Sequence, residues 1–361
     1  MPTGTGAVNL RNLPVTKYVI NPGLFNQLTS RVIFPPINFA LPTFGNYVQN
    51  QLLQVGIVGS LNLIVAGTIT TTGTTVTVTP TARWPWDLIS VQISGNGQNN
   101  FINANGWDLT LRLRGANRAY VDTLSTYPSN AVASPFNVAG SSAFTLAYKI
   151  PIAMDDTTLV GALYAQSEAT NLTYKISTAA QSDLFNIAAG TLAISATVYL
   201  EEEIFEVPYD PQHPDTLVIP DLTVLHGFVS NDNAVASQAV LDTQLFRING
   251  QLERLFFYTV DKSTANIAFT NTATHNYAQL IYGSNQTPYH FNPMNFLRWR
   301  NERDYRVVYP DGMYCLDFVA DNPARDQVLL EGVTNLRLRT SYTAAPTGGS
   351  YVHFVQETLF A

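Results

Sequence analysis

The sequence predicts an all-β chain of two tandem eight-stranded jelly rolls, a double jelly roll, preceded by an extended N-terminal arm. Three observations support this fold class: the second half repeats segments of the first, short alternating runs recur between turn residues, and amphipathic helices are scarce. Short strands with turn residues between them are typical of sandwiches and barrels. Immunoglobulin-like sandwiches need only about 100 residues each, so the 361-residue length favours two jelly rolls.

Segments of the first half recur in the second half in the same order. Residues 170–177 (TNLTYKIS) match 334–341 (TNLRLRTS), and residues 199–205 (YLEEEIF) match 354–360 (FVQETLF). A third, fainter match consists of three residues that are spaced identically in the two halves: Gly95, Gln98 and Phe101 match Gly283, Gln286 and Tyr289. A repeat of this length indicates a duplicated domain whose loops differ in length. The alignment predicts that Tyr199 and Phe354 occupy the same position on equivalent strands.

The first predicted unit after the arm covers residues 51–207. Its expected strands are rich in Val, Ile, Leu and Thr and are separated by Gly, Asn and Pro. They lie at residues 57–66, 74–79, 88–93, 107–113, 143–153, 170–177 and 191–201.

A proline-rich stretch, residues 208–221, is predicted to link the two units, because four prolines fall within it or directly at its ends. The second jelly roll then covers residues 222–361. A helix is expected at residues 293–303, with Asn292 as its cap and Pro293 in its first turn. The expected strands of this unit lie at residues 244–248, 254–260, 277–282, 313–319, 334–343 and 351–360.

Residues 1–50 are predicted to form the arm, because they show no clear period and contain six prolines. A short helix is expected after Asn21 and Pro22. The apolar residues of such an arm lack a core of their own, and its charges are purely basic, so we expect it to face a neighbouring subunit or a membrane surface. The residues assigned to this contact are Arg11, Lys17, Leu24, Phe25, Arg31, Ile33 and Phe34.

The composition favours a protein that works in an assembly. Only 12% of the residues are charged, about half the usual share, and low surface charge promotes association. The net charge of -7 argues against a nucleic-acid-binding face. The single cysteine, Cys315, lies in an apolar run and is expected to be buried.

The sequence predicts no catalytic residue, no metal site and no cofactor. His213 has Asp210 and Asp215 beside it, but a zinc site needs three or four spaced ligands. The acidic run at residues 201–203 alternates along a strand, which sends Glu202 to the opposite face from its two neighbours. These acids are interpreted as solvated or as partners in an ion pair between subunits. The four tryptophans, Trp84, Trp86, Trp107 and Trp299, are interpreted mainly as core or subunit contacts.

Three stretches resemble the major capsid proteins of the tectivirus type, a double jelly-roll family. Residues 105–111 (NGWDLTL) look like the Gly-Trp strand of that family's first domain. Residues 303–315 (RDYRVVYPDGMYC) are similar to a segment of the second domain, where a basic helix end leads into a turn and an aromatic strand. Residues 150–153 (IPIA) and 159–162 (LVGA) also resemble the first domain.

The resemblance implies a non-enzymatic structural protein in the capsid shell of a tailless icosahedral bacteriophage with an internal membrane. Three chains would form a homotrimeric capsomer with pseudo-hexagonal outline, and the arm would lie on the inner side. The expected partners are further copies of the chain, neighbouring capsomers, minor capsid proteins and the membrane, without direct nucleic-acid binding. The protein would be made in the host cytoplasm and located in the virion.

Two alternatives from other classes stay open on the sequence alone. A trimeric spike that binds a receptor or a sugar would also be rich in β-structure, and it would carry aromatic and acidic residues in one set of loops. A two-domain jelly-roll glycan hydrolase would need two carboxylates facing each other across a cleft.

Overall fold

A computed structural model describes the chain at residues 17–95, 100–116, 138–166, 171–235, 238–246, 250–262, 267–282, 286–305, 308–319, 328–333 and 335–360. The described chain consists mainly of strands, arranged as two sandwiches that are joined side by side. No helix in these ranges is long and apolar enough to cross a membrane.

The first sandwich has eight strand positions in chain order, and its first position is split into two short strands. One sheet has the order β2/β3-β11-β5-β8, with β9 beside β5, and the other has the order β4-β10-β6-β7. Its strands are β2 (Arg31–Ile33), β3 (Ile37–Ala40), β4 (Tyr47–Gln51), β5 (Ile57–Pro80), β6 (Ile89–Gly95), β7 (Ile102–Asn105), β8 (Gly140–Pro151), β9 (Leu163–Tyr164), β10 (Leu172–Thr178) and β11 (Phe185–Phe205).

The second sandwich repeats this plan. One sheet has the order β13-β22-β15-β19, with β16 and β20 also beside β15, and the other has the order β14-β21-β17-β18. Its strands are β13 (Leu225–Ala234), β14 (Val240–Gln244), β15 (Gly250–Asp261), β16 (Ala268–Phe269), β17 (His275–Tyr282), β18 (Gln286–Phe291), β19 (Met313–Asp317), β20 (Val328–Leu329), β21 (Arg337–Tyr342) and β22 (Tyr351–Phe360).

The two sandwiches match strand for strand. In each, the first strand pairs with the eighth, the eighth with the third and the third with the sixth, while the second, seventh, fourth and fifth form the opposite sheet. This is the strand order of a jelly roll, and the predicted double jelly roll is confirmed. The parallel pairing of β7 with β13 joins one sheet of each sandwich into a single ten-stranded sheet.

The repeat places its segments on equivalent strands, with one correction in register. The match between residues 170–177 and 334–341 lies on β10 and β21, the seventh strand of each sandwich. Tyr199 and Phe354 both lie on the eighth strand, but they are not in the same position. Leu200 pairs with Leu63, and Phe354 pairs with Phe257 in the corresponding register. Leu200 is therefore the counterpart of Phe354. The third match lies partly outside the described residues.

Residues 107–113 form a helix and not the strand that the sequence predicts. Helix α2 runs over Gly106–Ala116 after the short helix α1 (Pro22–Leu28). The Asn105 side chain accepts a hydrogen bond from the N–H of Asp108 at 2.9 Å, and the Asp108 carboxylate accepts one from the N–H of Asn105 at 2.9 Å. This reciprocal capping fixes the helix start. The resemblance of residues 105–111 to a Gly-Trp strand was therefore wrong about the local structure.

The remaining helices are short and lie between strands. Helix α3 covers Gln181–Leu184, and α4 covers Asn295–Tyr305, two residues later than predicted at both ends. Helix α1 begins after Asn21, whose side chain accepts a hydrogen bond from the N–H of Leu24, as expected. Helices α2 and α4 occupy the same place in the two sandwiches, because each follows the fifth strand and precedes the sixth.

Three apolar clusters hold the chain together. The largest fills the first sandwich and extends across the joint to Phe228, Phe256 and Val355 of the second sandwich. The next fills the second sandwich between its own sheets. The third, smaller cluster gathers Phe25 with residues of the predicted linker, Leu217 and Val218. The two sandwiches thus share one continuous core at the joint.

The described part of the predicted arm packs against its own chain. Strand β1 (Lys17–Ile20) pairs in parallel with β12 (Thr216–Ile219) of the predicted linker. Residues 31–51 then supply the first two strand positions of the first sandwich. Only residues 17–30 of the described arm therefore lie outside the two sandwiches, and β1 and β12 form a separate two-stranded sheet.

Candidate assembly surface

The joint between the sandwiches contains a buried ionic cluster. Arg112 of α2, in the first sandwich, donates from Nε to Glu357 of β22 at 2.7 Å, and Arg254 of β15 donates to the same carboxylate at 3.0 Å. His226 of β13 lies 3.1 Å from Glu357, which is fully buried. Burial alone would raise the pKa of Glu357, but Arg112 and Arg254 outweigh it and hold the pKa well below its usual range. The cluster links an element of one sandwich to three strands of the other.

A second buried pair crosses the same joint with the charges reversed. His353 of β22 lies 2.9 Å from Asp108 of α2 through Nε2, and 2.6 Å from Asp232 of β13 through Nδ1. Burial lowers the pKa of His353, but the two carboxylates outweigh that effect and raise it to about 10. The imidazolium ring stacks on Tyr258, whose hydroxyl accepts a hydrogen bond from Asn105. The charged ring therefore acts as a salt bridge between the sandwiches at neutral pH.

The face of the second sandwich that meets α2 is the outer face of its β13-β22-β15-β19 sheet. Inward-pointing residues of this sheet, such as Phe354 and Phe257, belong to the core of the second sandwich. Outward-pointing residues, such as Val355 and Phe256, belong to the core shared with the first sandwich. The central strands of this sheet, β22 and β15, are therefore buried on both faces.

The corresponding face of the first sandwich is uncovered in the isolated chain. By strand register, Tyr199 and Ile64 correspond to His353 and Tyr258 of the second sandwich. Tyr199 and Ile64 keep 38% and 43% of their surface exposed, whereas their counterparts are buried. The same fold thus presents this outer face to its neighbour domain in one copy and to solvent in the other.

A notch of about 400 Å³ opens on this uncovered face. It is lined by Ile64 and Ala147, by Leu113 at the end of α2, and by polar rim residues that include Lys149 and Glu201. Apolar walls with a few charged groups at the rim are typical of a site that receives an apolar side chain. We call this uncovered sheet face with its notch the open face.

Helix α4 carries a further uncovered surface. Phe296 and Trp299 are 60% and 58% exposed, and Arg303 lies over the Trp299 ring at 5.4 Å from its centroid. These three residues follow helical spacing and so share one side of α4. The opposite side packs into the second sandwich through Leu297 and Asn301. The sequence grouped Trp299 with core tryptophans, but only Trp84, Trp86 and Trp107 are buried.

The acidic run on β11 divides between two faces, as its alternation predicts. Glu202 points into the first sandwich and is buried, where it accepts a hydrogen bond from the N–H of Leu53 at 3.2 Å. Burial raises the pKa of Glu202 to about 7, against the effect of that bond. Glu201 and Glu203 lie on the opposite side, where both accept hydrogen bonds from the Asn62 amide.

The residues assigned to the arm contact fall into different environments. Phe25 is buried in the small cluster, with Leu24 beside it, and Phe34 packs against the first core. Arg31 and Ile33 lie exposed on β2, where Arg31 reaches Glu203 at 3.6 Å, and Lys17 lies exposed on β1. Arg11 lies outside the described residues. The structure therefore does not bring these residues together on one surface.

The described residues contain no group of three or more His, Cys, Asp and Glu side chains that could hold a metal ion. His213 makes a local contact with Asp210 at 3.0 Å on the surface. Cys315 is buried, as expected.

Sequence reasoning missed two surfaces, the open face and the exposed side of α4. The open face carries Ile64 and Tyr199 among small and polar residues, and such a strand surface is typical of one exposed to solvent. Its only sequence signal is the comparison of equivalent positions between the two halves, and that comparison needs the correct register on the eighth strand.

No protein-family model and no curated protein matches this chain. Solved structures do match it along most of its length. The major capsid protein of Sulfolobus turreted icosahedral virus aligns with a TM-score of 0.66 at 16% identity, covering 92% of this chain and 96% of that protein. The Faustovirus major capsid protein aligns with a TM-score of 0.59 at 9% identity, covering 92% and 90%.

The major capsid protein P2 of bacteriophage PM2 aligns with a TM-score of 0.50 at 11% identity, covering 92% of this chain and 98% of that protein. At these identities the likeness shows the fold. The described chain, with both sandwiches, has the double jelly-roll architecture of these proteins.

Proposed function

We propose that this protein is the major structural subunit of an icosahedral virus shell, that it is not an enzyme, and that it functions in the virion. The observation that carries the proposal is the match of both sandwiches together, over 92% of the chain, to proteins that are themselves major capsid proteins. A function that used a single jelly roll would not require the duplicated unit and its joint.

The duplication supports assembly as a homotrimer. Each chain contains two sandwiches with the same strand order, joined side by side. Three chains in a ring would therefore present six units of similar shape. A six-sided capsomer tiles a flat lattice, which is the requirement for the facets of an icosahedral shell. Low charge fits this role, because only 12% of the residues are charged and much of the surface would be covered by neighbours.

We also propose how the chain divides. Strand pairing favours a first jelly roll of residues 31–207, a linker of residues 208–221 and a second jelly roll of residues 222–361. Residues 1–30 then form the arm. Its exposed apolar residues Tyr18, Val19 and Ile20 favour contact with a neighbouring subunit or with a membrane inside the shell. Minor capsid proteins remain candidate partners at the capsomer edges.

The test is the mass of the purified protein in solution. Light scattering should give three times the chain mass of 39.7 kDa, because obligate interfaces of this kind bury about 2,000 Å² or more. Electron microscopy of particles formed by the protein should then show six-sided capsomers. A stable monomer at micromolar concentration, with no particles at higher concentration, would contradict the proposal.

A further inference from the structure

We infer that α4 of one copy docks into the notch of the open face on the next copy, with Trp299 and Phe296 as its anchors. The partner is thus a second copy of this chain, joined head to tail. This inference rests on the proposed function, since it names the contact through which the subunits of the capsomer would meet.

The first step of the argument is the equivalence of α2 and α4. Both helices connect the fifth and sixth strands of their sandwich. Helix α2 is buried because the second sandwich covers it, with Arg112 and Asp108 reaching across the joint. Helix α4 holds the same place in the second sandwich, yet it leaves Phe296 and Trp299 exposed. The second sandwich has no third sandwich in the chain to cover this helix.

The second step is the equivalence of the two outer faces. The face that receives α2 inside the chain is the outer face of the β13-β22-β15-β19 sheet, and the open face is its counterpart in the first sandwich. Each chain therefore has one helix without a receiving face and one receiving face without a helix. A second copy supplies both missing parts at once.

The third step is complementarity in shape and charge. The notch has apolar walls at Ile64, Ala147 and Leu113, which suit an aromatic ring. Large aromatic side chains in pockets are the usual anchors of protein interfaces.

Charge also favours this pairing. On the open face, Glu203 corresponds by register to Glu357, the acid that accepts from Arg112 inside the chain. Helix α4 brings Arg298, Arg300 and Arg303, together with Glu302 and Asp304, and the notch rim adds Lys149 and Glu201. The helix has three arginines and two acids, and these arginines already pair with Glu302, Asp304 and Asp311 of their own chain. The acids on β11 would extend this network of ion pairs.

The contact is heterologous, because the helix of one copy meets a different surface on the next. Such contacts close into rings or continue as filaments, depending on the rotation at each step. The joint inside the chain is the same kind of contact. If each joint, internal or external, turns by one sixth of a full turn, the alternating joints close after three chains.

Single substitutions test the anchors. Trp299→Ala should weaken self-association at least about tenfold, as measured by light scattering over a dilution series. Ile64→Glu should have a similar effect from the other side of the contact. Tyr47→Ala is the matched control, because Tyr47 is also 58% exposed and lies on β4, away from both surfaces. Each variant should keep the thermal unfolding midpoint of its monomer, since all three residues are exposed.

A cross-link provides an independent readout. With Ile64→Cys and Trp299→Cys in one chain, oxidation should give covalent dimers and trimers and no longer ladder. Either single cysteine variant should give no ladder, because buried Cys315 cannot reach a neighbour.

The outcomes separate the two proposals. A wild-type trimer that persists in Trp299→Ala and fails to cross-link would overturn the docking inference and leave the capsid function standing. A wild-type monomer at micromolar concentration that forms no particles at higher concentration would overturn both. An unlimited ladder of cross-linked species would support the contact and contradict the closed trimer.

Discussion

The two sandwiches have the same strand order, yet their eighth strands, β11 and β22, meet different surroundings. Strand β22 is buried on both faces, because the first sandwich covers its outer side. Strand β11 is buried on its inner side and carries the open face on its outer side. Equivalent positions have accordingly diverged in chemistry. Tyr199 of the first sandwich corresponds to His353 of the second, and Glu202 corresponds to Gln356. The difference shows that the neighbourhood of a duplicated strand, and not its fold, decides which polar groups it keeps.

Glu202 and Gln356 give the sharpest example. Gln356 accepts a hydrogen bond from the N–H of Phe246 at 2.6 Å and donates to the carbonyl of the same residue at 3.2 Å. Glu202 contacts the N–H of Leu53, which lies two residues after the second strand, as Phe246 does in the other sandwich. A carboxylate can only accept in this position, whereas an amide can also donate. Gln356 therefore bonds both backbone groups of Phe246, whereas Glu202 bonds only the N–H of Leu53. We call Glu202 and Gln356 the latch residues, because each ties the eighth strand to the chain after the second strand.

The largest expected contrast is between Glu357 and Glu203, which occupy the same register position. Glu357→Ala should lower the free energy of unfolding by about 3–5 kcal/mol, because it takes the fully buried carboxylate away from the partly buried Arg112 and Arg254. Glu203→Ala should cost only about 1 kcal/mol, since it removes hydrogen bonds from Asn62 and Ser60. Chemical denaturation of both variants measures the difference. Equal costs would show that the covered joint adds nothing to the role of this acid.

A pH titration should separate His353 from Tyr199, its counterpart. The folded pKa of His353 is raised to about 10, above an unfolded value of about 6.5. Its contribution to stability is therefore complete below pH 6.5 and is lost as the pH rises towards 10, by roughly 4–5 kcal/mol for a shift of this size. Tyr258, which stacks on the ring, has its pKa raised well above 10 and stays neutral in this range.

His353→Gln should remove this alkaline loss, as measured by the unfolding midpoint at pH 6, 8 and 10. Tyr199→Phe, at the equivalent position, should keep the wild-type pH profile. A wild-type midpoint that does not fall relative to His353→Gln between pH 7 and pH 10 would contradict a charged His353 at the joint.

Exchanging the latch residues should produce a smaller effect of opposite sign in the two sandwiches. The folded pKa of Glu202 is raised to about 7, so ionisation opposes folding increasingly as the pH rises from about 4.5 to above 7. Glu202→Gln should therefore stabilise the protein at pH 8 by about 1–2 kcal/mol and make no such gain at pH 5. Gln356→Glu should destabilise it at pH 8 and recover in acid. A gain from Glu202→Gln that is equal at both pH values would show that ionisation is not the cause.

Much of the fold was accessible from the sequence, because turn residues and alternating strands mark the sandwiches. Register on the eighth strand was not. The residues of β22 are buried on both sides, and polar residues fall on both of them, so residues 354–360 have no clean period of two to fix their alignment with β11. The matching aromatic ends of the two segments then favoured a pairing that was one residue out. The open face was hidden for the same reason, since it is defined only by that register.

Helix α2 was misread for a related reason. It is buried on nearly every side, so it lacks the apolar stripe that identifies a helix at the surface. Its sequence, with Trp107, Leu109, Leu111 and Leu113 at every second position, imitates a half-buried strand. The one local signal was the pair Asn105 and Asp108 at capping spacing.

The smallest expected effect tests that capping pair. Asn105→Ala removes the side chain that accepts from the N–H of Asp108 and also the amide that donates to Tyr258. Asn105→Ser keeps a capping oxygen and loses only the amide. If capping fixes the start of α2, the serine variant should be more stable than the alanine variant by about 1 kcal/mol in thermal unfolding. If the two variants are equally destabilised, the contribution of Asn105 comes from its contact with Tyr258 at the joint and not from capping. The start of α2 would then depend on its burial by the second sandwich.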